Sequence, residues 1–434
     1  MKYYSLNRQS PAVDFREATL RGQAPDGGLY FPEHIPVLEP VFFDQVRRMQ
    51  PADIAFQVIR PYVGASIPDA ELQEIAAQTV DFPMPLVQVN EQIYSLELFH
   101  GPTLAFKDVG ARFMSRCLGY FSRRHSEKII VLVATSGDTG GAVASGFYGV
   151  EGVEVVILYP SGKVSAVQEK QLTTLGRNIH ALEVEGSFDD CQQLVKRAFA
   201  DTELTSRMFL TSANSINVAR WLPQQFYYFL AWKQWPESTL PVISVPSGNF
   251  GNLCAGMLAY SAGLPVRHFI AACNANDVVP SFLQTGNYAP RKAVATLSNA
   301  MDVGDPSNFI RILELFSHRL KDLREVLSGY TIDDDQTRAT IRRIFRESGY
   351  LLDPHGAVGY LALEQYLKAH AGFRGFFLET AHPVKFFDVV EPVIGEVVPQ
   401  PPSVQARMAL TKQAEQMLPR YEILVDFLRR ITKI

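Results

Sequence analysis

The spacing of apolar residues changes near residue 85 of the 434-residue chain. Before that point, apolar side chains recur every three or four positions, as at Ile54, Val58 and Tyr62, which is the spacing of one helix face. Asp14 precedes a further short helical pattern and suits its N-cap. Residues 1–85 are therefore predicted to form a mainly helical N-terminal domain that ends at the proline-rich string FPMP.

After residue 85, continuous apolar runs alternate with helical spacing. The runs lie at 129–134, 153–159, 179–184, 209–210, 242–245, 269–273 and 376–378. A continuous apolar run bounded by turn residues is typical of a parallel strand buried on both faces. Repeated strand–loop–helix units predict an α/β fold with parallel sheets, in which ligands bind beyond the carboxyl ends of the strands.

The rest of the chain is predicted to fall into two parts. Residues 86–398 carry the candidate chemistry, with a smaller subdomain of about 108–233 inserted in a larger one. Residues 399–434 open with the string PQPP, which suits a linker, and are predicted to form a C-terminal helical appendage.

Composition narrows the classes of partner. The chain is 47% hydrophobic with a net charge of −4, which supplies a large core and argues against a nucleic-acid or anionic membrane surface. No apolar stretch reaches the roughly 18–20 residues of a membrane span. The four cysteines form no paired motif and the nine histidines no ligand-like cluster. Reduced thiols, a cytoplasmic location and no metal site are therefore predicted.

A lysine in an apolar setting is the first candidate for chemistry. Lys107 follows Phe99, Leu104 and Phe106 and stands at the start of a helical pattern. Apolar neighbours desolvate an ammonium group and favour the free amine, which attacks carbonyl carbons. Taken alone, this stretch is better explained as a solvated lysine in a first helical turn.

Two glycine-containing loops at predicted strand ends suit anions. In the string TSGDTGG at 135–141, hydroxyl groups and backbone N–H groups at a helix N-terminus suit a carboxylate or a phosphate, although an ordinary capped turn is an equal alternative. The string SGNFG at 247–251 suits one phosphate group, because it matches neither the dinucleotide fingerprint nor the P-loop. A bare glycine turn is its alternative.

A third polar loop follows the short run at 209–210. Arg220 can bind a phosphate through two parallel hydrogen bonds, with Asn214, Ser215 and Asn217 as neutral donors. A helix cap with a surface arginine is the favoured alternative for this loop alone. Two phosphate-type loops, an apolar lysine and no nucleotide motif together indicate a pyridoxal phosphate enzyme with a phosphorylated substrate.

Several strings, taken in this order, closely resemble those of threonine synthases. They are GGLYFP at 27–32, LFHGPTLAFKD at 98–108, TSGDTG at 135–140, SANSIN at 212–217, PSGNFG at 246–251, LSNAMD at 297–302 and TAHP at 380–383. No single string is specific, but the ordered set is. The resemblance implies the type II pyridoxal phosphate fold, with two parallel-sheet α/β domains and an added N-terminal, mainly helical domain.

The resemblance also implies roles for individual residues. Lys107 would bind the cofactor covalently and then act as general base and acid. The residues implied at the cofactor are Lys107, Phe106, Asp138, Ser247, Gly248, Asn249, Phe250, Gly251 and Thr380, of which Thr380 would hydrogen-bond the pyridine nitrogen. The residues implied at the substrate are Ser136, Thr139, Lys163, Asn214, Ser215, Asn217 and Arg220.

The implied reaction converts O-phospho-L-homoserine and water to L-threonine and phosphate, by γ-elimination followed by β-addition. Two alternatives in the same fold are a phospho-lyase that releases a 2-oxo acid and a serine or threonine dehydratase. A non-catalytic binding module is a third, disfavoured by the intact Lys107. The expected partner is a small molecule, and the expected state is a monomer or homodimer.

Overall fold

The computed structural model describes residues 1–123 and 128–432. The strands are β1 (Tyr3–Ser5), β2 (Tyr30–Pro32), β3 (Leu86–Gln88), β4 (Ile93–Glu97), β5 (Ile129–Ala134), β6 (Val153–Pro160), β7 (Ile179–Val184), β8 (Phe209–Thr211), β9 (Val242–Pro246), β10 (His268–Cys273), β11 (Leu327–Thr331), β12 (Gly375–Glu379) and β13 (Glu415–Met417). The α-helices are α1 (Phe15–Arg21), α2 (Pro40–Gln45), α3 (Pro51–Val63), α4 (Asp69–Thr79), α5 (Lys107–Ser122), α6 (Asp138–Phe147), α7 (Ala166–Thr173), α8 (Phe188–Ala200), α9 (Thr202–Thr205), α10 (Val218–Trp221), α11 (Gln225–Gln234), α12 (Gly251–Ser261), α13 (Val278–Thr285), α14 (Phe309–Leu315), α15 (Leu320–Val326), α16 (Asp334–Ser348), α17 (Pro354–Ala369), α18 (Phe387–Ile394), α19 (Pro402–Met408) and α20 (Tyr421–Thr432).

The chain divides into two compact units. The first unit contains Met1, Phe31–Phe106 and Trp221–Pro399. Its six-stranded sheet has the order β11-β10-β9-β12-β4-β3, and all neighbours are parallel except β3 and β4. Helix α17 packs against β9 and β12 in the middle of this sheet. The central strands are buried along their whole length, as their continuous apolar sequences require.

The second unit contains Lys2–Tyr30, Lys107–Arg220 and Gln400–Ile434. Its five-stranded sheet is parallel throughout, in the order β13-β7-β6-β5-β8. Strand β5 is buried at every position and lies beside β6 and β8. Helices α8 and α20 close one apolar cluster with these strands.

The structure confirms the predicted α/β class and its parallel sheets. Each predicted apolar run lies in a strand, and Asp14 caps α1 by accepting from the Glu17 N–H. The apolar spacing of Trp221, Leu222, Phe226 and Phe229 predicts one long helix, and this prediction is wrong because the residues lie in separate helical segments. A 3-10 turn at Leu222–Gln224 separates α10 from α11, because Pro223 has no N–H to continue the helical hydrogen bonds.

The predicted domain boundaries at residues 85 and 399 remain predictions, and the main changes between the compact units fall at residues 30–31, 106–107, 220–221 and 399–400. Residues 2–30 pack with the second unit because α1 lies against α5 and β8, whereas α3 packs on α11 in the first. The C-terminal segment is more than a helical appendage, because β13 extends the sheet of the second unit beside β7. Residues 433–434 of that segment lie outside the described residues.

The C-terminal segment should therefore contribute to the cooperative core of the second unit. Leu424 in α20 is fully buried in the cluster that contains Leu182 and Val184. We expect Leu424→Ala to lower the free energy of unfolding by about 2–5 kcal/mol, since it leaves a cavity. Leu418→Ala is the matched control, because this leucine is 47% exposed. Equal, small effects of the two substitutions in denaturant titrations would contradict this role.

Candidate active site

Lys107 of the second unit lies next to a carboxylate. It is the first residue of α5, and its Nζ lies 4.0 Å from Oδ2 of Asp138, the first residue of α6. The two side chains are 18% and 5% exposed. The site thus combines the partial burial expected from the sequence with a negative charge beside the amine, and the Asp138 carboxylate can hold an ammonium group there.

The loop before α6 is organised by Thr135. Its Oγ1 accepts hydrogen bonds from the N–H groups of Gly137 (3.0 Å) and Gly140 (2.9 Å). These two N–H groups already have an acceptor within the loop, so the predicted anion site cannot use them. Ser136 is exposed and Thr139 is half-buried. Their hydroxyl groups precede and follow Asp138 in the sequence and are not buried.

Gln168 fixes Asp138, and sequence reasoning missed it. The Gln168 side chain donates to Asp138 Oδ1 at 2.9 Å and also accepts from the Ser165 N–H at 3.2 Å. It is 3% exposed. Gly137 has a φ of 140°, and a Cβ atom there would lie 2.5 Å from Gln168 Oε1, so only glycine fits. The spacing S-x-x-Q at 165–168 is a capping-box signal that could have revealed this residue.

The polar loop at 211–220 contains a buried cation, Arg220, and an amide side chain, Asn217, that fixes the loop. Arg220 is 3% exposed, and its guanidinium donates to Ala213 O. A Cβ atom at Gly110 would lie 3.1 Å from Arg220 Nε, so this arginine packs over α5 one turn after Lys107. Asn217 Nδ2 donates to Thr19 O at 2.8 Å and to Ser212 O at 3.2 Å.

The other residues predicted to bind the substrate phosphate lie on two different loops. The two amide hydrogens of Asn217 already have acceptors, so this residue shapes the loop and offers no donor to a phosphate. Asn214 and Ser215 are half-buried within the same loop. Lys163 is exposed on the turn after β6, where its backbone N–H donates to Pro160 O at 3.3 Å. The structure therefore groups Arg220 with Asn214 and Ser215 on one loop, and Lys163 stands on another.

The glycine loop at 247–251, called the phosphate loop below, belongs to the first unit. It lies between β9 and α12, and Phe250 adopts a left-handed φ of 61°. The first three N–H groups of an α-helix have no acceptor within the helix, which suits an anion at this end of α12. A Cβ atom at Gly248 would lie 2.6 Å from Met301 Cα, so the loop needs glycine there. Asn249 Oδ1 accepts from the Ser307 N–H at 2.6 Å and is held in place.

Thr380 follows β12 in the first unit and is bound to the segment before the lysine. Phe106 N–H donates to Thr380 O at 2.9 Å, and His382 N–H donates to Leu104 O at 3.0 Å. Leu104 has a left-handed φ of 58°. Phe106 is half-buried, and Tyr227, which sequence reasoning missed, donates its hydroxyl to Phe106 O. The backbone thus fixes Thr380 beside the residue that precedes Lys107.

The residues present in each unit fit pyridoxal phosphate. The phosphate loop offers a glycine-lined helix start, Thr380 offers a hydroxyl at 7% exposure, and Lys107 offers an amine beside Asp138. No group of three or more histidine, cysteine or acidic side chains in the described residues suits a metal ion. None of the helices in that part of the chain combines the length and apolarity of a bilayer crossing.

Comparisons with known proteins identify the family of the chain. Residues 78–374 match the family "Pyridoxal-phosphate dependent enzyme", and residues 2–80 match "Threonine synthase N terminus". The threonine synthase of Serratia marcescens is 45% identical over 412 residues, which cover 94% of this chain and 95% of that protein.

Solved structures give the same result. The threonine synthase of Escherichia coli has a TM-score of 0.92 and 43% identity, and covers 99% of this chain and 100% of its own. The threonine synthase of Brucella melitensis with bound pyridoxal phosphate has a TM-score of 0.94 and 35% identity, with 100% of both chains covered. The chain belongs to the threonine synthase family of pyridoxal phosphate-dependent enzymes with the type II fold.

Proposed function

We propose that this protein forms L-threonine and phosphate from O-phospho-L-homoserine and water, with pyridoxal phosphate bound to Lys107. The observation that carries the choice of substrate is the buried Arg220, which packs over α5 one turn from that lysine. A guanidinium group binds phosphate through paired, charge-assisted hydrogen bonds. A serine or threonine dehydratase acts on a substrate without phosphate and has no need of this cation.

The proposed cofactor contacts involve a loop, a hydroxyl group and the surroundings of Lys107. Ser247, Gly248, Asn249, Phe250 and Gly251 hold the cofactor phosphate at the start of α12. Thr380 donates or accepts a hydrogen bond at the pyridine nitrogen. Phe106 precedes Lys107 in the sequence, and the Asp138 carboxylate lies beside the Lys107 amine. When bound, the cofactor supplies an electron sink that acidifies the C–H bonds of an attached amino acid.

Lys107 moves the protons in this proposal. Its amine takes the proton from Cα of the substrate and returns protons later in the reaction, as a general base and acid. Asp138 lies 4.0 Å from Nζ and stabilises the ammonium form between the two transfers. Because Gln168 holds the other carboxylate oxygen, the Asp138 side chain cannot turn away from the lysine.

The substrate is held at both ends. Ser136 and Thr139 bind its carboxylate from the loop around Asp138. Asn214, Ser215 and Arg220 bind its phosphate, with Lys163 as a further cation, and Asn217 fixes the backbone of their loop. The phosphate that leaves Cγ stays near Arg220, where it can accept the proton of the water that attacks Cβ.

The four cysteines are free and buried, which supports the proposed cytoplasmic location. A monomer or homodimer remains our prediction.

The direct test is to incubate the protein with pyridoxal phosphate and O-phospho-L-homoserine and to measure phosphate and threonine together. We expect equal release of both. Lys107→Arg should lower the rate at least 10²–10⁴-fold, since a guanidinium retains the charge beside Asp138 but neither binds the cofactor covalently nor transfers protons at neutral pH. Phosphate with 2-oxobutyrate would instead identify a phospho-lyase, and an active Lys107→Arg protein would exclude the lysine.

Arg220 should act on the substrate phosphate and leave the cofactor unaffected. We expect Arg220→Lys to raise KM for O-phospho-L-homoserine about tenfold to a hundredfold. The guanidinium group makes two charge-assisted hydrogen bonds to the phosphate, whereas an ammonium group makes one. The fraction of 2-oxobutyrate should rise as the released phosphate is held less well. Arg116→Lys is the control, since this half-buried arginine of α5 also donates to a backbone oxygen, Gly146 O, at 2.9 Å. Similar KM values for the two variants would argue against the proposed contact.

Gln168 should matter for kcat through Asp138. In Gln168→Ala the carboxylate loses its fixed orientation, and we expect kcat to fall about tenfold to a hundredfold, as for other small displacements of catalytic groups. Ser165→Ala provides the control, because it removes the hydrogen bond from the Gln168 N–H, costs about 1 kcal/mol of stability and leaves the Asp138 contact in place. Steady-state kinetics and thermal unfolding of both variants separate the two effects. Equal losses of kcat would assign Gln168 to helix capping alone.

A further inference from the structure

Two fully buried carboxyl groups of the first unit lie beside Thr380 and have no part in the reaction proposed above. Glu379 is the last residue of β12, and Asp353 is the N-cap of α17. Both are 0% exposed, and Glu379 Oε1 accepts from the Asp353 N–H at 2.7 Å. Buried carboxyl groups are costly unless they are paired or neutral, so this pair requires a physical explanation.

A proton retained by Glu379 explains how two carboxyl groups can be buried side by side. The second oxygens, Glu379 Oε2 and Asp353 Oδ2, are buried and have no hydrogen-bond partner among the described residues. A Cβ atom at Gly356 would overlap Glu379 Oε2, so this carboxyl group packs directly on the first turn of α17. Burial, and then the neighbouring charge of Asp353, raise the pKa of Glu379 well above its usual value. A neutral Glu379 leaves a single buried charge, on Asp353.

His355 connects this pair to the phosphate loop. Its Nδ1 lies 2.6 Å from Asp353 Oδ1, and its Nε2 accepts from the Ala300 N–H at 3.2 Å. The acceptor role of Nε2 assigns the ring proton to Nδ1, so a neutral imidazole donates to Asp353. Ala300 and Met301 pack on Gly248, where a Cβ atom would lie 2.9 Å from Ala300 O and 2.6 Å from Met301 Cα.

The other ionisable groups near the pair are already engaged. Tyr350 donates its hydroxyl to Glu97 at 2.9 Å. Lys385 is fully buried and donates to Thr103 O at 2.9 Å. Burial, followed by the nearby His100, lowers the pKa of His382 to about 4, so this ring is neutral at pH 7.

We propose that Glu379, Asp353 and His355 form a relay that positions both cofactor contacts of the first unit. A neutral Glu379 holds the end of β12 that carries Thr380, and a neutral His355 holds the phosphate loop through the backbone at residue 300. The proposal rests on the roles assigned above to Thr380 and the phosphate loop. The three side chains are positioning residues, because they act through the backbone and touch no reacting atom.

Two substitutions at His355 test the roles of its two ring nitrogens separately. His355→Asn keeps a donor where Nδ1 lies and loses the acceptor for the Ala300 N–H, whereas His355→Gln keeps an acceptor near Nε2. We expect the dissociation constant of pyridoxal phosphate to rise about tenfold in His355→Asn and less than about threefold in His355→Gln. The measurement is the absorbance of bound cofactor during titration of the cofactor-free, full-length protein.

The control for loss of stability is Ser328→Ala. It removes a partly buried hydrogen bond of 2.8 Å between Ser328 of β11 and His268 of β10, in the same sheet. We expect lower melting temperatures for all three cofactor-free variants, with an unchanged dissociation constant for Ser328→Ala alone. If His355→Asn binds the cofactor as tightly as Ser328→Ala does, the relay is refuted and His355 is only structural.

A second pair of variants tests the neutral state of Glu379. Glu379→Ala should weaken cofactor binding about tenfold, and Glu379→Gln should restore it to within about twofold, because an amide N–H replaces the acid O–H. If Glu379→Gln binds as weakly as Glu379→Ala, the neutral acid is refuted. These affinities do not depend on the product formed. A wild-type protein that binds the cofactor but releases 2-oxobutyrate would refute the proposed reaction and leave the relay intact.

Discussion

Two main-chain hydrogen bonds, from Phe106 N to Thr380 O and from His382 N to Leu104 O, fix the segment that leads into Lys107. They attach this segment to the end of a central, fully buried strand, β12. Thr380 follows β12 directly, so this sheet holds the backbone of that residue. Functional groups on such rigid elements keep their geometry better than groups on free loops. The left-handed Leu104 is a local strain that these bonds offset.

Polar side chains in this protein serve mainly to fix loops, and fewer of them are available to ligands than their number suggests. Thr135 accepts from two N–H groups of its own loop, and Asn217 donates to Ser212 O of its loop and to Thr19 O of α1. The groups proposed to bind the substrate are then few, and Arg220, which packs over Gly110, is one of them. This arrangement lowers the reorganisation needed during the reaction, because the donors are ordered before the substrate arrives.

The sequence predicted the strands well because a buried parallel strand has a continuous apolar sequence that few other structures share. Lys107 at a helix start and the anion loops were also visible locally, as were the glycines that make them possible. Strand β13 was missed because Glu415 and Gln416 are exposed at a sheet edge and show no alternation. Gln168, Asp353 and His355 were missed because their partners lie far away in the chain. Buried polar pairs depend on tertiary packing, which a single sequence does not reveal.

The second unit is assembled from segments that lie far apart in the chain, and this affects its biosynthesis. Its sheet is built from residues 107–220, yet the strand that covers the β7 edge comes from residues 415–417, about two hundred positions later. A growing chain therefore exposes that edge on the ribosome while residues 221–399 of the first unit are being made. Open strand edges recruit other chains, so this interval is when the nascent protein most needs a chaperone or rapid translation. The same separation gives the unit a high contact order, which predicts slow final closure after synthesis.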